Sequence, residues 1–225
     1  WNIYNESFME STLDYLSNLK LRLSYGKAGN EAISVYETIS KMSQGALTMD
    51  GASTIGLWQS SRMGNPNLSW ETTKTFNIGL DFGFLNQRVS GSIDWYYRKT
   101  DDLINTVNVP AGTNFRNQVI SNIGSLRNMG TEVTVNWRAI ETKDWHWLLS
   151  YNFTYNNNKI TKLTGGDDSD YYVPTGGISS GTGNNCQAHA VGHTASSFYV
   201  YQQAYDDNGK PIEGAVVDRN ADGQI

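Results

Sequence analysis

Asp218-Arg219-Asn220-Ala221-Asp222-Gly223-Gln224-Ile225 sets oxygen donors at alternate positions ahead of a glycine. In such a run Asp218, Asn220 and Asp222 wrap a hard cation, Gly223 makes the sharp turn, and the Gln224 carbonyl adds an oxygen, which is calcium-loop chemistry. The closing bidentate carboxylate would fall beyond Ile225, and the same letters also serve as an ordinary Asx turn. Cys186, His189 and His193 have zinc-like spacing without an evident fourth ligand, so three unconnected loop residues is the favoured reading. Asp167, Asp168 and Asp170 read as a solvated acidic loop, because nothing sets two of them across a cleft as glycoside hydrolysis requires. Gly176 to Gly183 is glycine-rich but lacks the Lys-Ser/Thr ending of a phosphate loop. There is no Ser-His-Asp or Cys-His arrangement with a nucleophile elbow, so no enzyme is expected. Trp58, Tyr171 and Tyr172 offer binding instead: flat amphipathic rings either stack on sugar faces or pack loops together.

The elements that must position these residues follow from composition and periodicity. Seventeen Lys+Arg against 22 Asp+Glu give 225 residues a formal charge of −5, which argues against a nucleic-acid partner. A single cysteine, Cys186, rules out an internal disulfide. Charged residues are 17% of the chain, below the roughly 25% of ordinary soluble domains. With 22 Gly, 13 Tyr and 7 Trp, the mixture disfavours helices and suits aromatic-rich β structure. No run approaches the roughly 18 apolar residues of a membrane-spanning helix. The opening at Trp1 has no signal-peptide pattern, and the chain reads as a fragment of something longer.

Five segments alternate apolar and polar residues with the period of a strand: 19–25, 76–84, 89–97, 131–137 and 145–155. Leu19, Leu21, Leu23 and Tyr25 oppose Lys20, Arg22 and Ser24. Phe76, Ile78, Leu80, Phe82 and Phe84 oppose Asn77, Gly79, Asp81 and Gly83. No charge interrupts any of the apolar faces. A weaker sixth strand is expected from Phe198 to Tyr205. Asn5 to Asn18 is the best helical candidate, good for a turn or two.

Alternation alone fits two architectures. A soluble β-sandwich buries its apolar faces against each other, whereas a transmembrane barrel turns them to lipid around a polar interior. Connection lengths favour the barrel: Leu85–Arg88 and Arg138–Asp144 are short, while Gly26–Thr75, Arg98–Gly130 and Asn156–Ser197 are long. Tyr25, Trp95, Tyr97, Trp137, Trp145 and Tyr155 sit near strand ends, where rings seek the membrane interface.

Several ordered blocks carry a resemblance that covers nearly the whole chain. Leu19-Lys20-Leu21-Arg22-Leu23-Ser24-Tyr25-Gly26 with Ala28-Gly29-Asn30 resembles the LKLRxSYGxxGN segment of SusC/RagA-type TonB-linked outer-membrane transporters. Asn65-Pro66-Asn67-Leu68-Ser69-Trp70-Glu71 resembles their NPxLxWE block, and Asn122-Ile123-Gly124 through Gly130-Thr131-Glu132 their NIGxxxNxGxE block. Asn152-Phe153-Thr154-Tyr155 with Asn158-Lys159-Ile160 resembles NFxYNxNKI. One departure is Ser196-Ser197-Phe198-Tyr199-Val200-Tyr201, where the family has GxFYGY.

The resemblance implies an all-β chain: antiparallel strands forming residues 1–225 as a partial segment of one large transmembrane β-barrel, with the plug domain and remaining strands elsewhere. It implies TonB-coupled import of oligosaccharide or peptide across the outer membrane of a Gram-negative, Bacteroidetes-like bacterium. Expected partners are a SusD-like surface lipoprotein, the TonB complex and membrane lipid. Calcium in the Asp218–Gln224 loop is the one cofactor expected. The alternative is a soluble β-sandwich carbohydrate-binding or adhesin module with a calcium loop.

Overall fold

The computed structural model describes residues 1–31, 33–49, 53–110, 116–164, 166, 171–178 and 185–217. Two 3₁₀ turns, Ile3–Asn5 and Ser7–Thr12, precede β1 (Leu16–Asn30). Then follow β2 (Lys41–Met49), β3 (Ser53–Arg62), β4 (Glu71–Phe84), β5 (Val89–Asp101), β6 (Ile104–Asn108) and β7 (Gln118–Asn122). The long β8 (Ser125–Glu141) and β9 (His146–Lys162) come next. Five short strands complete the described chain: β10 (Tyr172–Gly177), β11 (Asn185–Ala190), β12 (Ser197–Phe198), β13 (Gln203–Tyr205) and β14 (Pro211–Val216).

Strands β1, β4, β5, β8 and β9 form one antiparallel sheet in that order. These are the five alternating segments, each longer than its apolar pattern. Short turns join β4 to β5 and β8 to β9 at one end. The long connections at the opposite end fold as hairpins, β2–β3 and β6–β7, while β10, β11 and β12 make a small sheet after β9. The expected sixth strand is broken: only Ser197–Phe198 and Gln203–Tyr205 are extended in pairs, and they belong to different sheets. The helical candidate is corrected too, because its last residues, Leu16 to Asn18, already belong to β1, Ser7–Thr12 is 3₁₀ and Leu13 to Tyr15 form a turn. The alternating partners available on β4 outweigh a short helix whose isolated stability in water is marginal.

Register turns alternation into two chemically distinct faces. Leu21, Leu80, Ile93, Val133 and Phe153 are successive partners across the five strands, and so are Leu23, Ile78, Trp95, Thr131 and Tyr155. Phe76 and Trp95 meet edge to face with centroids 6.3 Å apart. From Met129 to Trp137 the apolar face runs eight residue steps, about 27 Å of strand and roughly 20 Å of height at a barrel tilt near 40°. This face is open: Leu23 is 64%, Tyr151 62% and Phe153 48% exposed. Among the described residues only Leu16, Ile160 and Ala188 are buried apolar side chains. No second described sheet covers the face, as a soluble sandwich would require.

The turn end is tightly stitched. Leu85, Asn86 and Gln87 all take left-handed backbone conformations, with φ of 52°, 55° and 63°, which for non-glycine residues needs outside support. Arg138 supplies it, donating from Nη2 to the carbonyls of Gln87 at 2.7 Å and Asn86 at 3.2 Å. Arg88 returns the favour, donating to the carbonyls of Arg138 at 3.1 Å and Ala139 at 2.9 Å. The Gln87 amide donates to Ser17 Oγ at 3.1 Å, tying β1 to the same turn.

Candidate functional site

The polar face of the sheet is organised around side chains that cross a strand. Arg22 on β1, Gly79 on β4 and Asp94 on β5 are register partners. Arg22 donates to Asp81 through Nε and Nη2 at 3.0 and 2.8 Å, and through Nη2 to Asp94 at 3.0 Å. It reaches the second strand across Gly79, which leaves the path clear; a Cβ there would lie 2.7 Å from Arg22 Cζ. The same device recurs one row away. Tyr96 lies over Gly130 and donates to Asn156 Oδ1 at 3.1 Å. Arg22, Asp81 and Asp94 side chains keep 39, 28 and 18% exposure, so the cluster is worth little as stability. Its effect is to present a polar wall at the height where the other face is uncharged and mostly aliphatic and aromatic.

At the hairpin end, the motif residues lock the two long connections together. Ser69 N donates to Asn122 Oδ1, and Asn122 Nδ2 donates back to the Ser69 carbonyl, both at 2.7 Å. Asn122 Nδ2 also reaches the Asp102 carbonyl at 2.9 Å, and Asn65 Nδ2 the Ile120 carbonyl at 3.0 Å. Glu71 accepts from the Ile104 amide at 3.0 Å and from Asn30 Nδ2 at 2.9 Å. The Trp70 ring packs against Gly29, where a Cβ would come within 2.7 Å of Cε3. Asn30, Asn65, Ser69, Glu71 and Asn122, all from blocks that carry the resemblance, are thus clasp residues of the rim.

Above β9 sits an aromatic concavity of about 350 Å³ whose lining includes Tyr171, Tyr172, His193, Phe198 and Tyr199. Tyr172 and Tyr199 are tilted against each other with centroids 4.9 Å apart. The Ile160 amide donates to the His193 carbonyl at 2.9 Å and the Ala195 amide to Asn158 Oδ1 at 3.2 Å, anchoring this layer on β9. Of the aromatic candidates, Tyr171 and Tyr172 come together here, whereas Trp58 stands on the β2–β3 hairpin opposite Gln44, 68% exposed. Sequence reasoning missed Phe198 and Tyr199 as lining residues and weighed His193 only as a metal ligand. The Phe-Tyr-Val-Tyr run was the available signal, but it reads equally well as a strand. Ser196, in the place of the motif's first glycine, has φ of +58°, so this position demands the left-handed conformation that glycine takes freely.

The remaining candidates do not converge. Cys186 Sγ–H donates to the Gly176 carbonyl at 3.2 Å, and His189 Nε2 pairs with Ser196 Oγ at 3.2 Å. Among the described residues no group of three His, Cys, Asp or Glu is placed to hold a metal. Asp218, Asn220, Asp222 and Gln224 lie outside the described residues, as do Asp167, Asp168 and Asp170.

Comparison with known proteins gives this geometry its setting. The TonB dependent receptor-like β-barrel family model matches residues 11–217. The TonB-dependent receptor SusC of Bacteroides thetaiotaomicron is 51% identical over all of this chain, which spans 23% of that receptor's length. The TonB-dependent receptor P26 of Formosa agariphila is 39% identical over 77% of this chain and 17% of its own. A solved structure of the RagAB peptide transporter superposes with a TM-score of 0.74 at 32% identity, covering 92% of this chain and 21% of that one. With its meander of long strands, short turns at one end and clasped hairpins at the other, the chain belongs to the TonB-dependent receptor β-barrel family.

Proposed function

We propose that this chain is a stretch of wall and outer rim in a SusC/RagA-type, TonB-dependent nutrient importer of the outer membrane. One observation carries the reading: the same five strands present an uncharged, open apolar band on one face and the Arg22–Asp81–Asp94 cluster on the other. Lipid suits the first face and a watery lumen the second. Its relatives from Bacteroides and Formosa are receptors, which supports an outer membrane of the Bacteroidetes kind and a role in transport without bond-making chemistry. The plug, the remaining strands and the segment that meets the TonB complex belong to the rest of the parent. A SusD-like surface lipoprotein would cover the clasped hairpins. The cargo is an oligosaccharide or a peptide; the tilted Tyr172–Tyr199 pair suits the flat face of a sugar ring.

The test is made on the parent protein in cells. Recovery in the outer membrane, with a gel mobility in SDS that changes only on boiling, is the expected result. Uptake of labelled oligosaccharide should then fall in Y172A while the amount of barrel in the membrane stays constant. A soluble protein indifferent to boiling overturns the importer reading, and unchanged oligosaccharide uptake beside lost peptide uptake reassigns the cargo.

A further inference from the structure

Beyond the apolar band, the outward face changes chemistry within a single row. Lys27 on β1, Lys74 on β4, Lys99 on β5, Arg127 on β8 and Lys159 on β9 are register partners of one another across all five strands. They lie one pleat beyond Tyr25, Phe76 and Tyr97, on the hairpin side. With strands about 4.8 Å apart, the cations line up within roughly 20 Å. Like charges directly opposite on neighbouring strands destabilise a sheet, and here the opposition recurs at every strand junction. One described carboxylate answers it: Asp101, a pleat further out, accepts from Lys99 Nζ at 2.9 Å and lies 3.9 Å from Lys74 Nζ. Among the described residues Lys27, Arg127 and Lys159 have no carboxylate within ion-pair distance. The enclosed Arg127 Nε–H has no acceptor, and Lys162 adds another positive residue in the next row of β9.

We propose that this row is a belt that binds the phosphate groups of the outer-leaflet glycolipid. The proposal rests on the outer-membrane reading above. Aromatic rings mark headgroup level on a barrel wall, and the next pleat outward is where lipid phosphates lie. Lysine stems can lie along the apolar wall while their ammonium groups reach the headgroups. Arg127, in the row's interior, offers a planar fork suited to a phosphate. The row stands on the lipid-facing side and is separated from the lumen by the sheet, which favours lipid over an anionic cargo.

The test uses the full-length parent purified in detergent, with bisphosphorylated lipid A and its phosphatase-treated form as probes, and native mass spectrometry to count lipid retained per barrel. Wild type is expected to retain the phosphorylated form on the order of tenfold more strongly, from about a few-fold per surface cation. K27Q/K159Q, which leaves both partners of Asp101 in place, should lose most of that preference. Its unfolding midpoint in lipid-free detergent should hold or rise, since only repulsion has been removed, and this separates lost binding from lost folding. Equal retention of the two lipids by wild type overturns the proposal, and so does an undiminished preference in the variant. A variant that keeps the preference but loses a co-purifying lipoprotein also overturns it, because the row would then belong to a protein interface. Fractionation before any lipid is added tests the outer-membrane reading separately; a parent found elsewhere sinks both.

Discussion

At the turn end of the sheet, Arg88 and Arg138 are committed inward, donating to the carbonyls of residues 86, 87, 138 and 139. At the rim end, Lys27, Arg127 and Lys159 have no such commitment among the described residues, and the row they share faces outward. The outward row of the rim therefore uses cations differently from the turn end. One end uses them to hold tight turns whose backbone needs support. The other presents one row of them outward, while Arg62 and Arg116 donate to carbonyls of the connections beside Asn65, Asn122 and Glu71. A positive charge near a barrel's edge is thus informative only once its acceptors are known.

The sharpest way to test this contrast is to move one new charge along the outward face between the ends. Ile93→Arg places it mid-band, where it should cost about 2–4 kcal/mol of barrel stability. Tyr97→Arg, two pleats nearer the basic row, should cost about 0–1 kcal/mol. Urea unfolding of the parent refolded into lipid vesicles reads both, and equal costs would break the assignment of this face to lipid. A smaller effect separates the two uses of cations. Arg138→Ala removes donors to exposed carbonyls and should cost about 1–2 kcal/mol whether or not phosphorylated lipid is present. Lys159→Ala should lower the unfolding midpoint only when it is present. The smallest effect concerns the aromatic concavity, where Ser196→Gly should raise stability by about 1 kcal/mol by relieving the left-handed backbone. A lowered thermal midpoint would mean that the Ser196 hydroxyl at His189 matters more than the strain.

All five wall strands were legible in the sequence because alternation of greasy and polar residues is the signature of a half-apolar sheet. Their far ends were not. Past Tyr25, Phe76 and Tyr97 the outward positions become Lys27, Lys74 and Lys99, so both faces are polar and the contrast that marks a strand vanishes while the pleat continues. For this reason the basic row escaped sequence reading, and extending each strand by the same period would have found it. The hairpin β2–β3 was hidden similarly, since Lys41-Met42-Ser43-Gln44-Gly45 has little face preference. Phe198 to Tyr205 failed in the other direction: its aromatic run suggested a strand, but Phe198 and Tyr199 line a concavity shared with Tyr171 and Tyr172. That Tyr172 meets Tyr199 while Trp58 stands apart depends on tertiary placement, which spacing does not encode.

Gly79 and Gly130 carry a consequence for alignment. Arg22 crosses β4 over Gly79, which lies between Asn77 and Asp81 on the same face. Tyr96 crosses β8 only at Gly130, between Asn128 and Glu132. Each long side chain therefore behaves as a key, and each glycine as a slot cut in the strand between. Sliding β1 along β4 by one pleat preserves the alternation of faces and would restore a backbone ladder, so neither hydrophobicity nor backbone pairing forbids it strongly. The key would no longer enter its slot. Correct alignment of this wall is thereby specified by two side chains that are missing.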